Sequence, residues 1–159
     1  YNVPSRTGVN IEPKTCLALS KVPNIIGIKE ASGNLSQVAK IASLCKDDLW
    51  IYSGNDDQIL PILSLGGIGV ISVLSNLAPK FVHNMVFDYL SGNFTLAKDS
   101  QIKCIPLVHC LFSEVNPIPV KSALNKMGYH VGLPRLPLIP MSPSHLYELE
   151  LELKNFKLI

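Results

Sequence analysis

Apolar positions in the first half of the chain switch between short β-branched runs and helical spacing. Runs typical of buried strands cover residues 25–29, 49–52 and 69–73. Each run is followed by apolar residues three and four positions apart, the spacing of one helix face. Ser32-Gly33-Asn34 predicts the start of the helix that carries Leu35 and Cys45. Strands alternating with helices over short connections predict a parallel sheet with right-handed crossovers.

Proline and glycine positions predict further helices. Four of them run from near Pro13 to the break at Pro23, from Asp56 to Gly66, from Pro79 to Leu90 and from Pro117 to Met127. A long helix is predicted from Phe94 to Phe112, with a kink or interruption at Pro106. The last one begins at the Ser142 cap and ends at about Lys157. Residues 148–153 alternate Glu and Leu as a strand would, but both are strong helix formers, so we predict helix there. We divide the chain into a strand–helix region, 1–92, and a helical region, 93–159.

Composition narrows the class of protein. Hydrophobic residues make up 47% of the 159 and charged residues only 16%. This composition favours elements that are buried on both faces, or surfaces that meet another segment or subunit. The net charge is +2 with no basic block, so nothing indicates nucleic-acid binding. No apolar run approaches the roughly 18 residues of a membrane span, and we expect no membrane segment and no signal peptide.

The four cysteines and four histidines do not have the spacing of a metal site. Cys16, Cys45, Cys104 and Cys110 contain no Cys-x-x-Cys pair, and no histidine is suitably placed beside them. Cys16 and Cys45 lie on apolar helix faces, as buried thiols do in a reducing compartment. We therefore predict no metal and a cytoplasmic location.

Lys29 is the strongest candidate for a catalytic residue in this sequence. It follows Ile25, Ile26 and Ile28 at the carboxyl end of a predicted buried strand. Burial favours the neutral amine, which is a nucleophile toward carbonyl carbon, so the position points to Schiff-base chemistry. The alternative is a lysine whose long side chain carries its charge out to water.

Five motifs occur in sequence along the chain, and the second of them contains Lys29. They are residues 1–8 (YNVPSRTG), 27–33 (GIKEASG), 53–56 (SGND), 66–73 (GGIGVISV) and 116–121 (NPIPVK). Together they resemble the dihydrodipicolinate synthase family, pyruvate-dependent lyases of the lysine class I aldolase superfamily. The resemblance runs from Tyr1 through at least Lys121.

The resemblance implies a (β/α)8 barrel, which typically needs about 250 residues. A chain of 159 residues is therefore expected to be the C-terminal half of such a barrel, with about four parallel strands counting a stub at Tyr1, followed by a C-terminal helical appendage. Such a sheet would have open edges. The family also implies a homo-oligomer, a dimer or a tetramer.

The resemblance also implies roles for five residues. Lys29 would form the imine with pyruvate, and Tyr1 would transfer protons. Arg6 would hold the carboxylate of aspartate semialdehyde, Ile71 would line the pyruvate pocket, and Gly54 would leave room beside the imine. The product would be 4-hydroxy-tetrahydrodipicolinate, an intermediate of lysine and diaminopimelate biosynthesis. No cofactor is implied, because the lysine supplies the electron sink.

Two alternatives stay open. One is another aldolase of the superfamily, for a keto-deoxy-sugar acid or sialic acid, against which Ser5 and Arg6 argue. The other is a chain without activity of its own that needs its N-terminal half. A phosphate loop at residues 66–69 is a weak interpretation, because these glycines precede a strand and not a helix.

Overall fold

Three parallel strands form the centre of the fold. In the computed structural model, which describes all 159 residues, β1 is Gly27–Glu30, β2 is Trp50–Ser53 and β3 is Gly69–Val70, side by side in that order. Lys29 is in register with Tyr52, and Ser53 with Val70. Asn2 forms an isolated parallel bridge with Glu30 on the outer side of β1. The fourth strand expected from the sequence is therefore this single bridge.

Eight helices surround the sheet. They are α1 (Pro4–Thr7), α2 (Pro13–Leu19), α3 (Leu35–Cys45), α4 (Ile59–Ser64), α5 (Pro79–Leu90), α6 (Phe94–Leu111), α7 (Ile118–Lys126) and α8 (Pro143–Asn155). Short 3-10 turns cover Lys46–Asp48, Asp56–Gln58 and Leu74–Asn76. No helix is both long and apolar enough to cross a membrane.

Two hydrophobic cores hold the helices in place. The smaller core packs Ile28 and Ile51 from the strands against α2 and α3. The larger core joins α4 and α5 to α6, α7 and α8. It therefore contains residues from both sides of position 92, and the division at that position stays a prediction.

Several predicted bounds shift in the structure. The first strand covers Gly27–Glu30 and not 25–29, and Ile26 is 64% exposed. The prediction that the whole isoleucine run is buried is therefore wrong for Ile26. Helix α6 continues through Pro106 without interruption, because buried side chains on both sides of the proline anchor it in the larger core. The Glu–Leu alternation of residues 148–153 is helical, as predicted.

The third strand ends early because Asp56 binds the backbone that follows it. Asp56 is buried, and its Oδ2 accepts hydrogen bonds of 2.9 Å from the N–H groups of both Val73 and Leu74. The strand was predicted to reach Val73 but ends at Val70. The Asp56 carboxylate thus binds the turn after β3.

Asp56 makes the stability of the chain depend on pH. Burial raises the pKa of the Asp56 carboxyl above its ordinary value. Because this pKa is raised in the folded state, the contribution of Asp56 to the free energy of unfolding is most favourable at low pH. The contribution declines as the pH rises through the folded-state pKa. We expect Asp56→Asn, which keeps one oxygen acceptor but carries no charge, to gain stability relative to wild type as the pH rises from about 4 to about 7. Urea unfolding followed by circular dichroism measures this difference.

Asp56→Ala is the matched variant, because it removes the acceptor itself. Two backbone N–H groups then lose their partner, and the expected loss relative to Asp56→Asn is about 1–3 kcal/mol at every pH in that range. Equal unfolding free energies for Asp56→Asn and Asp56→Ala would contradict the assignment of Asp56 as the acceptor for the turn after β3.

Glu114 attaches the last helix to the rest of the fold. Its Oε1 accepts a hydrogen bond from the Ser142 N–H at 3.0 Å and lies 2.8 Å from His145 Nδ1. The hydroxyl of Ser142 makes no capping bond to α8, although the sequence predicted one. The hydrogen bond with His145 is the main cause that lowers the pKa of Glu114.

We expect Glu114→Gln to remove a pH-dependent part of this attachment. A carboxyl group whose pKa is lowered by folding stabilises the folded state at pH values above its unfolded-state pKa. This stabilisation is lost as the pH falls through the folded-state pKa. Because the pair is partly exposed, the difference between wild type and variant should stay below about 1 kcal/mol near neutral pH and vanish in acid. Amide exchange rates in α8 at several pH values test this, and a difference that persists in acid would contradict it.

Candidate active site

One cleft contains all five residues that the sequence singled out. It has a volume of about 220 Å³ and lies at the carboxyl ends of the strands. Tyr1, Arg6, Lys29, Gly54 and Ile71 line it. The remaining lining residues are Val3, Ser5, Ala31, Asn55, Ser72, Val73, Phe112 and Asn116. Residues far apart in the sequence therefore share a single cavity.

Strand geometry decides which side chains of β1 face the cleft. Successive side chains of a strand point to opposite faces, and here Ile28 and Glu30 are buried toward the helices. Lys29 must then face the cleft, where its Nζ lies 4.0 Å from the centroid of the Tyr1 ring. At this distance the ring face attracts a cationic amine. Lys29 is half-buried, at the end of a strand whose neighbouring residues Ile28 and Glu30 are buried.

Arg6 reaches the cleft from a short helix that the sequence did not predict. Helix α1 is followed by Gly8, whose φ of 69° lets its N–H donate to the Pro4 carbonyl and end the helix. The Thr7 hydroxyl donates to the Val9 carbonyl and supports the turn. The Arg6 guanidinium is exposed and forms no ion pair. It is therefore free to receive a carboxylate in bidentate geometry.

Gly54 and Ile71 border the cleft in different ways. A Cβ on Gly54 would lie 2.6 Å from the Cβ of Ala31, so the missing side chain makes room for the neighbouring strand. Whether it also leaves room beside an imine stays a prediction. Ile71 is 49% exposed, and its N–H donates to the Ser53 carbonyl at 2.8 Å. Its side chain borders the cavity and lies outside both hydrophobic cores.

A buried polar cluster behind the cleft was missed by the sequence analysis. Asn2 and Glu30 are each 1% exposed and hydrogen bonded to one another. The signal was their position, directly after Tyr1 and directly after Lys29 in the two most specific motifs. Phe112, Ser72 and Asn116 also line the cleft and were assigned no role.

A second, polar cavity adjoins the cleft. Its volume is about 230 Å³, and it shares Asn55 and Phe112 with the cleft. Asp56, Asp57 and His109 are among its lining residues. No group of three or more His, Cys, Asp or Glu side chains is arranged so that it could hold a metal ion.

Comparisons with known proteins agree with the motifs. The model of the dihydrodipicolinate synthetase family matches residues 1–156. A 4-hydroxy-tetrahydrodipicolinate synthase from Caldicellulosiruptor saccharolyticus is 61% identical over 142 residues, which are 89% of this chain and 48% of that protein. The chain spans about half the length of the curated relatives it matches.

Solved structures show the same likeness in three dimensions. Dihydrodipicolinate synthase from Thermotoga maritima superposes with a TM-score of 0.96 at 43% identity, over 100% of this chain and 55% of that one. The chloride-inhibited enzyme from Acinetobacter baumannii, described as complexed with pyruvate, gives a TM-score of 0.95 at 36% identity, over 100% and 55%. The predicted fold class, part of a (β/α)8 barrel with a helical appendage, is confirmed. On its sequence, its fold and the motifs that line its cleft, the chain belongs to the dihydrodipicolinate synthetase family.

Proposed function

We propose that the protein to which this chain belongs condenses pyruvate with aspartate semialdehyde to give 4-hydroxy-tetrahydrodipicolinate. The proposal rests on one observation: Lys29, Tyr1, Arg6, Gly54 and Ile71 line the same cleft. Active sites of such barrels lie at the carboxyl ends of their strands, where this cleft lies. The names of the curated relatives and the pyruvate described for the Acinetobacter baumannii enzyme support it.

In the proposed reaction, the Lys29 amine attacks the ketone carbon of pyruvate. A C–N bond forms, the ketone oxygen leaves as water after two proton transfers, and a protonated imine remains. This imine accepts the electron pair that is released when a methyl proton departs, and the resulting enamine carbon bonds to the aldehyde carbon of the second substrate. The aldehyde oxygen takes up a proton and becomes the hydroxyl group of the product. The amino group of the second substrate then attacks the imine carbon, and the C–N bond to Lys29 breaks, which closes the ring and releases the lysine amine. The lysine imine thus serves as the electron sink that a cofactor would otherwise supply.

Tyr1 and Arg6 have distinct proposed roles. The Tyr1 phenol would carry protons during imine formation, since its ring lies against the amine. Arg6 would bind the carboxylate of aspartate semialdehyde. Ile71 and Gly54 would shape the pyruvate end of the cleft.

A second candidate function follows from the three-strand sheet. A closed barrel of this family has eight strands, whereas β3 and, apart from the Asn2 bridge, β1 have open edges here. This favours a chain that is inactive by itself and acquires activity when complementary strands close the barrel. For the whole protein we also propose a homo-oligomer and a cytoplasmic location, the latter supported by four cysteines that are all free thiols.

Borohydride reduction in the presence of pyruvate tests the role of Lys29. We expect a stable adduct on Lys29, found by intact mass and peptide mapping, because reduction converts the imine to a secondary amine. Lys29→Arg should give none, since a guanidinium is not a nucleophile at neutral pH. Lys40→Arg, an exposed lysine on α3, is the matched control and should leave the yield unchanged. A folded wild-type chain without an adduct would favour the second candidate.

Arg6→Ala should affect the binding of one substrate and not of the other. Imine formation with pyruvate should be unaffected, while the KM for aspartate semialdehyde should rise roughly 10- to 100-fold, as expected for the loss of a charged hydrogen bond. Steady-state kinetics of the whole protein measures this effect. Arg135→Ala, the other arginine and also exposed, is the control. An Arg6→Ala protein with unchanged KM would point to another aldolase of the superfamily.

A further inference from the structure

The buried Asn2–Glu30 cluster has no part in the proposed reaction and yet lies directly behind it. The Glu30 carboxylate accepts hydrogen bonds from Asn2 Nδ2 at 3.0 and 3.3 Å, from the Ser32 N–H at 2.6 Å and from Gln37 Nε2 at 3.2 Å. No lysine or arginine pairs with it. A buried carboxylate is costly unless such donors satisfy it, so this arrangement depends on all three donors.

The cluster joins three separate parts of the chain. Asn2 belongs to the segment before α1, Glu30 ends β1, and Gln37 lies in the first turn of α3. Asn10 extends the cluster, since it accepts hydrogen bonds from Asn2 Nδ2 at 2.9 Å and from Gln37 Nε2 at 3.1 Å. The Asn2 Oδ1 accepts the Ile11 N–H at 2.9 Å. Every polar atom of the Asn2 side chain is therefore used.

Tyr1 takes its position from the residue that follows it in the chain. The next residue is anchored, since the Asn2 N–H donates to the Lys29 carbonyl and the Asn2 carbonyl accepts the Ala31 N–H, both at 2.9 Å. The position of the Tyr1 ring over the Lys29 amine therefore follows from where Asn2 is fixed.

We propose that Glu30 is a positioning residue, which acts through the side chain of Asn2 to hold the Tyr1 ring against the Lys29 amine. The inference rests on the proposed imine chemistry of this cleft. The Glu30 carboxylate faces the helices, on the side of β1 opposite to Lys29, so it acts by geometry and does not touch substrate. Misplacing a reacting group by about 1 Å can slow a reaction by about 100-fold.

Nuclear magnetic resonance of the unliganded chain gives a readout that does not depend on any reaction. Protons above an aromatic ring are shielded, so the ε-methylene protons of Lys29 should resonate upfield of those of other lysines. Tyr1→Ala should remove this shift and thereby identify the ring as its source. Glu30→Gln should also remove it, because the amide that replaces the carboxylate would turn its own NH₂ group toward the donors of Asn2 and Gln37. Pyruvate trapping at Lys29 should then slow by about tenfold or more.

Two further variants separate positioning from general damage. Glu12→Gln removes another carboxylate at the edge of the cluster, which accepts a hydrogen bond from Asn10 Nδ2 at 2.8 Å but is exposed and does not touch Asn2. In this variant the Lys29 shift and the trapping rate should stay as in wild type. The double variant Asn2→Asp with Glu30→Gln exchanges donor and acceptor, so part of both the shift and the rate should return.

A folded Glu30→Gln chain with an unchanged Lys29 shift overturns the proposal, and so does a folded double variant that recovers neither signal. Should Glu30→Gln not fold, Asn2→Ala tests the same link, because it removes the Nδ2 donor and keeps the carboxylate. An unchanged Lys29 shift in that folded variant likewise overturns the proposal. If the folded wild-type chain gives no pyruvate adduct, the second candidate function is favoured, while the resonance shift still decides whether Glu30 positions Tyr1.

Discussion

The parallel pairing of β1 with β2 is the constraint on which the cleft depends. Because side chains alternate along a strand, burying Ile28 and Glu30 against the helices leaves Lys29 no other direction than the cleft. The pairing is close where the strands end, since Gly54 stands where any Cβ would collide with Ala31. A shift of register by one residue would turn Lys29 into the helix layer and Glu30 into the cleft.

Two buried carboxylates connect successive strand–helix units, and neither relies on a cationic partner. Glu30 gathers donors from the N-terminal segment, from its own turn and from α3. Asp56 gathers backbone N–H groups from the turn after β3. Hydrogen bonds to a charged acceptor are stronger than neutral ones, and they fix direction as well as distance. Both carboxylates lie next to the end of a strand, where the cleft residues must be held in place.

The sheet accounts for both candidate functions. All five of the residues proposed to act on pyruvate and aspartate semialdehyde line a single cavity at the carboxyl ends of its strands. The unpaired edge of β3 favours the second candidate, in which complementary strands close the barrel. The chemistry proposed for Lys29 needs an amine that is shielded from water, and shielding depends on what lies across from the sheet.

The sequence by itself predicted most of the element types and the parallel sheet, because apolar periodicity is a local signal. Five residues of the cleft were predicted from short motifs that resemble a known family. Local signals did not reveal the early end of β3, the burial of Asn2 and Glu30, or the contact between Tyr1 and Lys29. Each of these depends on partners distant in the sequence: Asp56 reaches Val73, Asn2 reaches Glu30, and the Tyr1 ring reaches the Lys29 amine. Such hydrogen bonds and contacts exist only after the strands have paired, so tertiary structure alone decided them.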